Sequence, residues 1–198
     1  AKTGMLYSAE IVRAVARAVK RYRIRPLVVD PVMIATSGAP LLREDAIGAL
    51  CGNLLPLATL ITPNIPEAEC FCGIEIRTVD HMQIAAQSMG RRWTTAVVVK
   101  GGHLPGKCLT NVLYDHGAMH VFEYPRIKVR STHGTGCVFS AAITALLARG
   151  RSLPAAVEEA SWFVARAIAD SVRVGRHSAL CIESGGYRFR TKPLTAET

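Results

Sequence analysis

Apolar positions repeat first at helical spacing. Ile11, Val12, Val15, Ala16 and Val19 share one face and Arg13, Arg17 and Lys20 the other. That pattern predicts a surface helix over 8–22 with Ser8 as its N-cap. The period then changes. Pro26-Leu27-Val28-Val29-Asp30 is a short apolar run closed by a carboxylate, the pattern of a buried parallel strand. Loop residues follow at 31–33 and 36–38, then a helix over about 43–53. Leu60-Ile61-Thr62 is the next short strand, stopped by Pro63, and Asn64 opens a helix carrying Glu67 and Ala68. A helix over 79–92 leads to a third apolar strand, 96–100, ending in Lys100.

Residues 109–114 and 119–124 alternate around Asp115-His116-Gly117 and predict a β-hairpin. A strand-like piece at 127–129 precedes the glycine-rich Thr132-His133-Gly134-Thr135-Gly136-Cys137. Phe139, Ile143, Leu146 and Leu147 then repeat at helical spacing over 138–148, and a last long helix covers 153–174. From Gly175 the periodicity is lost. The expectation is one α/β domain over 1–174 with mostly parallel strands, and a loop-rich tail over 175–198.

Composition narrows the class. Of 198 residues 49% are apolar and 20% charged, which suits one folded domain and excludes a disordered chain. The net charge of +9 raises the question of nucleic acid, but the basic residues are dispersed and not interleaved with aromatics, so anionic small substrates are the better use of that field. No apolar stretch reaches the roughly 18 residues of a membrane span, and no signal peptide is visible. The six cysteines are scattered, and Cys70-x-Cys72 lacks zinc spacing. Free thiols in the cytoplasm are the expectation.

Three strand ends deliver Asp30, Asn64 with Glu67, and Lys100, and a glycine-rich helix start delivers Gly134, Thr135, Gly136 and Cys137. Unpaired amides and the positive dipole end make such a helix start an anion site. Phosphoryl transfer needs these parts: carboxylates for Mg²⁺, a cation for phosphates, amides for the migrating group and a base near the acceptor hydroxyl. Two plainer alternatives stand beside this. Asn64 and Glu67, three apart, also form a capping box, and Cys137 is either a small buried space-filler or a thiol activated by the helix start. A cysteine hydrolase would need a partner for Cys137, and His133 on the same loop is poorly placed for it. The run Gly101-Gly102-His103-Leu104-Pro105-Gly106-Lys107 mimics a P-loop, but Cys108 stands where the hydroxyl belongs and a strand follows, not a helix.

Lys2-Thr3-Gly4-Met5-Leu6, Asp30-Pro31-Val32-Met33, Thr62-Pro63-Asn64 with Glu67-Ala68, Val99-Lys100-Gly101-Gly102-His103 and the motif ending in Cys137 occur in this order. Together they resemble the hydroxymethylpyrimidine/phosphomethylpyrimidine kinases of thiamine biosynthesis, members of the ribokinase-like superfamily, over residues 1–174. Pyridoxal kinases share that scaffold but usually carry Asp where Cys137 stands. The resemblance implies a three-layer α/β/α fold and phosphorylation of 4-amino-5-hydroxymethyl-2-methylpyrimidine, then of its monophosphate, by ATP with Mg²⁺. It implies that Gly134 to Cys137 form the anion hole and that Cys137 acts as base or transition-state donor. It puts Lys100, Asn64, Thr132 and Gly136 with the nucleotide, Asp30 and Glu67 with Mg²⁺ and its waters, and Met5 and Val32 around the pyrimidine. A homodimer is compatible with it. The family normally opens with a strand and a Gly/Ser-rich loop before the Lys2-Thr3-Gly4 block, so an N-terminally truncated homologue is expected. The alternatives are a B6-vitamer kinase on the same scaffold and a nucleotide-binding homologue without turnover.

Overall fold

Strands buried on both faces set the architecture, seen in a computed structural model that describes residues 1–34, 39–127, 134–174 and 177–182. Among these, one sheet runs in the order β1 (Lys2–Thr3), β2 (Val28–Val29), β3 (Leu60–Ile61), β4 (Ala96–Lys100), β5 (Cys108–Asp115), β6 (Ala118–Pro125). The first four strands are parallel neighbours, and β5 and β6 extend the sheet antiparallel. Successive strand residues point to opposite faces, so Val29, Ile61, Val97 and Val99 enter one core while Val28, Leu60, Ala96 and Val98 enter another. The first core is closed by α1 (Ala9–Arg21), α2 (Glu44–Ala49), α3 (Ile65–Cys72) and α4 (Val79–Trp93). The second is closed by α5 (Thr135–Ala148) and α6 (Leu153–Ala169) through Phe139, Ile143, Leu146, Ala156 and Ala160. This is the expected three-layer α/β/α arrangement with a mostly parallel sheet. Strands buried on both faces are apolar throughout.

The structure departs from the sequence reading at four places. Lys2–Thr3 is a strand, unpredicted because a two-residue element carries no periodicity; it exists through its pairing with Val28 and Val29. The helix expected over 43–53 keeps α-geometry only to Ala49, then widens over Leu50–Leu54 and tightens over Leu55–Leu57. Gly52 within the wide turn and Pro56 in the tight one weaken regular helix there. The last helix stops at Ala169, capped by Asp170, and β7 (Val172–Val174) pairs antiparallel with β8 (His177–Ala179). The β-branched Val172 favours that extension, so the helix expected over 153–174 is corrected to end at Ala169, and a short strand lies within the tail. Ile127 lies outside any strand. Lys128 and Val129, the loop positions Thr36, Ser37 and Gly38, and the tail from 183 fall outside the described residues.

Ser8 caps α1 as expected, its side chain accepting from the Ile11 amide at 3.4 Å. No helix of the described residues is long and apolar enough to cross a membrane.

Candidate active site

Parallel strands in an open α/β sheet expose their C-terminal ends together, and ligands of such folds sit there. Asp30 leaves β2, Thr62 and Asn64 leave β3, and Lys100 ends β4. The Lys100 amide donates to the Pro63 carbonyl at 2.9 Å, which sets Lys100 beside Asn64.

Asp30 is buried at 2% exposure, and both carboxylate oxygens are engaged. Its Oδ1 accepts from Thr62 Oγ1 at 3.1 Å and from Lys100 Nζ at 2.9 Å. Its Oδ2 lies 3.2 Å from Ser140 Oγ on α5. Paired and hydrogen-bonded, the buried charge is compensated. Lys100 keeps 17% of its side chain exposed, and a Cβ placed on Gly136 would stand 3.5 Å from its Nζ. The ammonium therefore stands between a buried carboxylate and the first turn of α5.

Gly134 opens that helix in the left-handed region, at φ 84°, and supplies no side-chain oxygen to the first-turn amides. Only glycine adopts this conformation without strain. Cys137 is exposed on the first turn, so the reading of it as a buried space-filler is corrected. Thr132 and His133 fall outside the described residues.

Asn64 and Glu67 form the full capping box. Asn64 Oδ1 accepts from the Glu67 amide at 2.9 Å, and Glu67 Oε2 accepts from the Asn64 amide at 2.8 Å. Glu67 does more than cap, because its Oε1 also accepts from the Met33 amide at 3.4 Å and ties the exit of β2 to α3. Burial pushes the Glu67 carboxyl above the usual glutamate range; Lys100 and the two backbone donors pull it down, and Asp30 pushes it further up. Desolvation is the largest of these effects. Among the described residues no three His, Cys, Asp or Glu side chains gather as a metal cluster; Asp30 and Glu67 stand as a pair. Met5 and Val32 follow β1 and β2 at the same sheet edge, Met5 exposed and Val32 half-buried.

The loop after Lys100 is shaped from outside the strand ends. Arg126 donates Nε to the Gly106 carbonyl at 3.0 Å, Nη1 to that of Gly102 at 3.1 Å and Nη2 to that of Leu104. The Gly101 amide donates to Asn111 Oδ1 at 3.3 Å. Burial, with Lys100 and Arg126 nearby, holds the His103 imidazole below its ordinary range. Strand β5 begins at Cys108, so no helix follows this loop and the P-loop reading stays excluded. Ser140, Asn111 and Arg126 were not singled out from sequence, and Thr62 entered only within the Thr62-Pro63-Asn64 block, with no role of its own. Ser140 had a signal: it is a polar residue on the α5 face otherwise made by Phe139 and Ile143.

The phosphomethylpyrimidine kinase family model matches residues 1–181. The chain belongs to that family. It is 40% identical over 175 residues to the hydroxymethylpyrimidine/phosphomethylpyrimidine kinase of Bacillus subtilis, covering 88% of this chain and 65% of that protein. It is 44% identical to the thiamine biosynthesis bifunctional protein of Geobacter sulfurreducens, covering 88% of this chain and 36% of that one. The chain thus spans just under two thirds of the first relative and about a third of the second. Among solved structures, an ADP complex of Bacillus subtilis pyridoxal kinase superposes with a TM-score of 0.83 at 37% identity, over 90% of this chain and 68% of that chain.

Proposed function

We propose that this member of the phosphomethylpyrimidine kinase family transfers the γ-phosphoryl group of ATP to the hydroxymethyl oxygen of 4-amino-5-hydroxymethyl-2-methylpyrimidine, and then to the resulting monophosphate. The observation that carries the reading is the Lys100 ammonium, held 2.9 Å from buried Asp30 and set against Gly136 at the start of α5. A fixed cation and a helix N-terminus aimed at one place suit a migrating phosphoryl group, whose charge spreads over three oxygens. Lys100 neutralises phosphate oxygens of the nucleotide, and Asn64, Thr132 and Gly136 bind the same nucleotide. The amides of Gly134 to Cys137 receive the migrating group. The hydroxymethyl oxygen bonds to the γ-phosphorus as the bridge to the β-phosphate breaks. Its proton passes to Cys137, and ADP leaves with the electron pair of the broken bond. Met5 and Val32 line the pyrimidine.

Asp30 and Glu67 fit Mg²⁺ as two hard oxygen donors at neighbouring strand ends, and they would hold the ion directly or through its waters. When bound, the ion supplies charge neutralisation at the phosphates. The cytoplasm is part of the proposal, supported by six unpaired cysteines. So is self-association, supported by the exposed Met5, Tyr7 and Ile11 near the start of the chain.

The test is mass-resolved turnover with ATP and Mg²⁺, offering the pyrimidine alcohol, its monophosphate and pyridoxal side by side. Mono- and diphosphorylated pyrimidine, abolished by Lys100→Met and Cys137→Ala, is the expected result. The pyridoxal kinase likeness makes phosphorylated pyridoxal the specific competing outcome. ADP binding without any product would leave a nucleotide-binding homologue and end the kinase reading.

A further inference from the structure

Ser140 is fully buried, at 0% exposure, one turn inside α5. Its Oγ lies 3.2 Å from Asp30 Oδ2 and also 3.2 Å from the carbonyl of Cys137. A hydroxyl has one proton to donate. A buried helical serine is satisfied by a carbonyl of its own preceding turn, so reaching Asp30 is not needed to avoid an orphaned hydroxyl. The second contact matters to Asp30. Thr62 and Lys100 both bind Oδ1, and these two donors come from the sheet, whereas Oδ2 faces α5. Ser140 donates to that other oxygen.

We infer that Ser140 is a positioning residue: by donating to Asp30 Oδ2 it ties α5 to the carboxylate that holds Lys100, and so fixes the ammonium at the N-terminal turn of that helix. The hydrogen bond joins the helix that would receive the phosphoryl group to the strand end that carries the carboxylate. It thereby sets the spacing between cation and helix N-terminus. For its kinetic consequence the inference rests on the kinase reading; for its geometry it does not.

The test uses Ser140→Ala, which removes the hydroxyl, and Ser140→Cys, which keeps most of the volume but donates weakly. In the ligand-free protein, the side-chain resonance of Lys100 (assigned by its loss in Lys100→Arg) moves toward that of exposed lysines in both variants. In turnover both lower kcat about tenfold, the scale of a sub-ångström misplacement, while KM for the pyrimidine stays within about twofold. In an Asp30→Asn background, Ser140→Ala adds no further loss. An unmoved Lys100 resonance overturns the inference whether or not the chain turns over. Wild-type behaviour of Ser140→Cys, or equal losses in both backgrounds, overturns it as well, assigning Ser140 to packing. A shifted resonance in a protein without turnover upholds the positioning and defeats only the kinase reading.

Discussion

Glu67 shows what burial does to a single group at this site. Its carboxyl titrates above its ordinary value of 4.5 because desolvation outweighs the attraction of Lys100 and two backbone donors. The folded chain therefore binds that proton more tightly than the unfolded chain. The resulting stabilisation is complete below about pH 4.5, the unfolded value, and is lost as pH rises through the higher folded value. Glu67→Gln carries no such charge at any pH, although it can keep only one of the two backbone acceptor bonds. Urea midpoints of the two proteins, measured without Mg²⁺ from about pH 5 to about pH 8, should diverge in favour of the variant as pH rises, then run parallel. A difference that does not change with pH would refute the assignment. Asp30, also buried, has its two carboxylate oxygens bound by Lys100, Thr62 and Ser140.

Among the elements, the β4–β5 connection is the most constrained backbone near the site. A Cβ on Gly101 would lie 1.9 Å from the carbonyl oxygen of Thr110, an atom of the sheet itself that cannot move aside. On Gly102 it would meet only Leu109 Cδ2, at 4.0 Å. Gly101→Ala should therefore cost several kcal/mol, roughly 3 or more, by prising β4 from β5 next to Lys100, while Gly102→Ala stays within about 1 kcal/mol of the parent. Chemical denaturation of the two variants side by side checks this, and equal stabilities would contradict it. The elements that failed to follow the sequence pattern share a cause. Lys2–Thr3 and the β7–β8 pair are too short to show a period, and their strand character comes from the neighbour each pairs with. The turn at Leu50–Leu54 keeps its apolar spacing, with Leu50 and Leu54 buried, while its hydrogen bonding departs from the α-helix.

At the scale of the molecule, two apolar cores hold the sheet between them and present its strand ends, with Lys100, to solvent under a net charge of +9. That field favours a polyanion such as ATP over a neutral alcohol. Apparent kcat/KM for ATP should fall several-fold as salt rises from about 0.05 to about 0.3 M, with that for the neutral pyrimidine changing by less than about twofold; parallel behaviour of the two would refute a role for the field. The α/β class was legible in the chain, because strands buried on both faces must be apolar at every position and helices buried on one face repeat at their own period; the layer order was implied by the family resemblance. Asp30, Asn64, Glu67, Lys100 and Gly134 to Cys137 were legible for a related reason, since each stands where a predicted strand ends or a helix starts. The grip on Asp30 was not. Thr62, Lys100 and Ser140 lie 32, 70 and 110 residues from it, and no local pattern records which side chains a sheet brings to one carboxylate. By itself the sequence determined the longer elements and which polar residues stand at their ends, because local periodicity and backbone preference suffice for that. Only the tertiary structure decided that Asp30 is clasped on both oxygens and that Lys100 stands at the start of α5, because those are meetings of distant strands and a helix across one buried point.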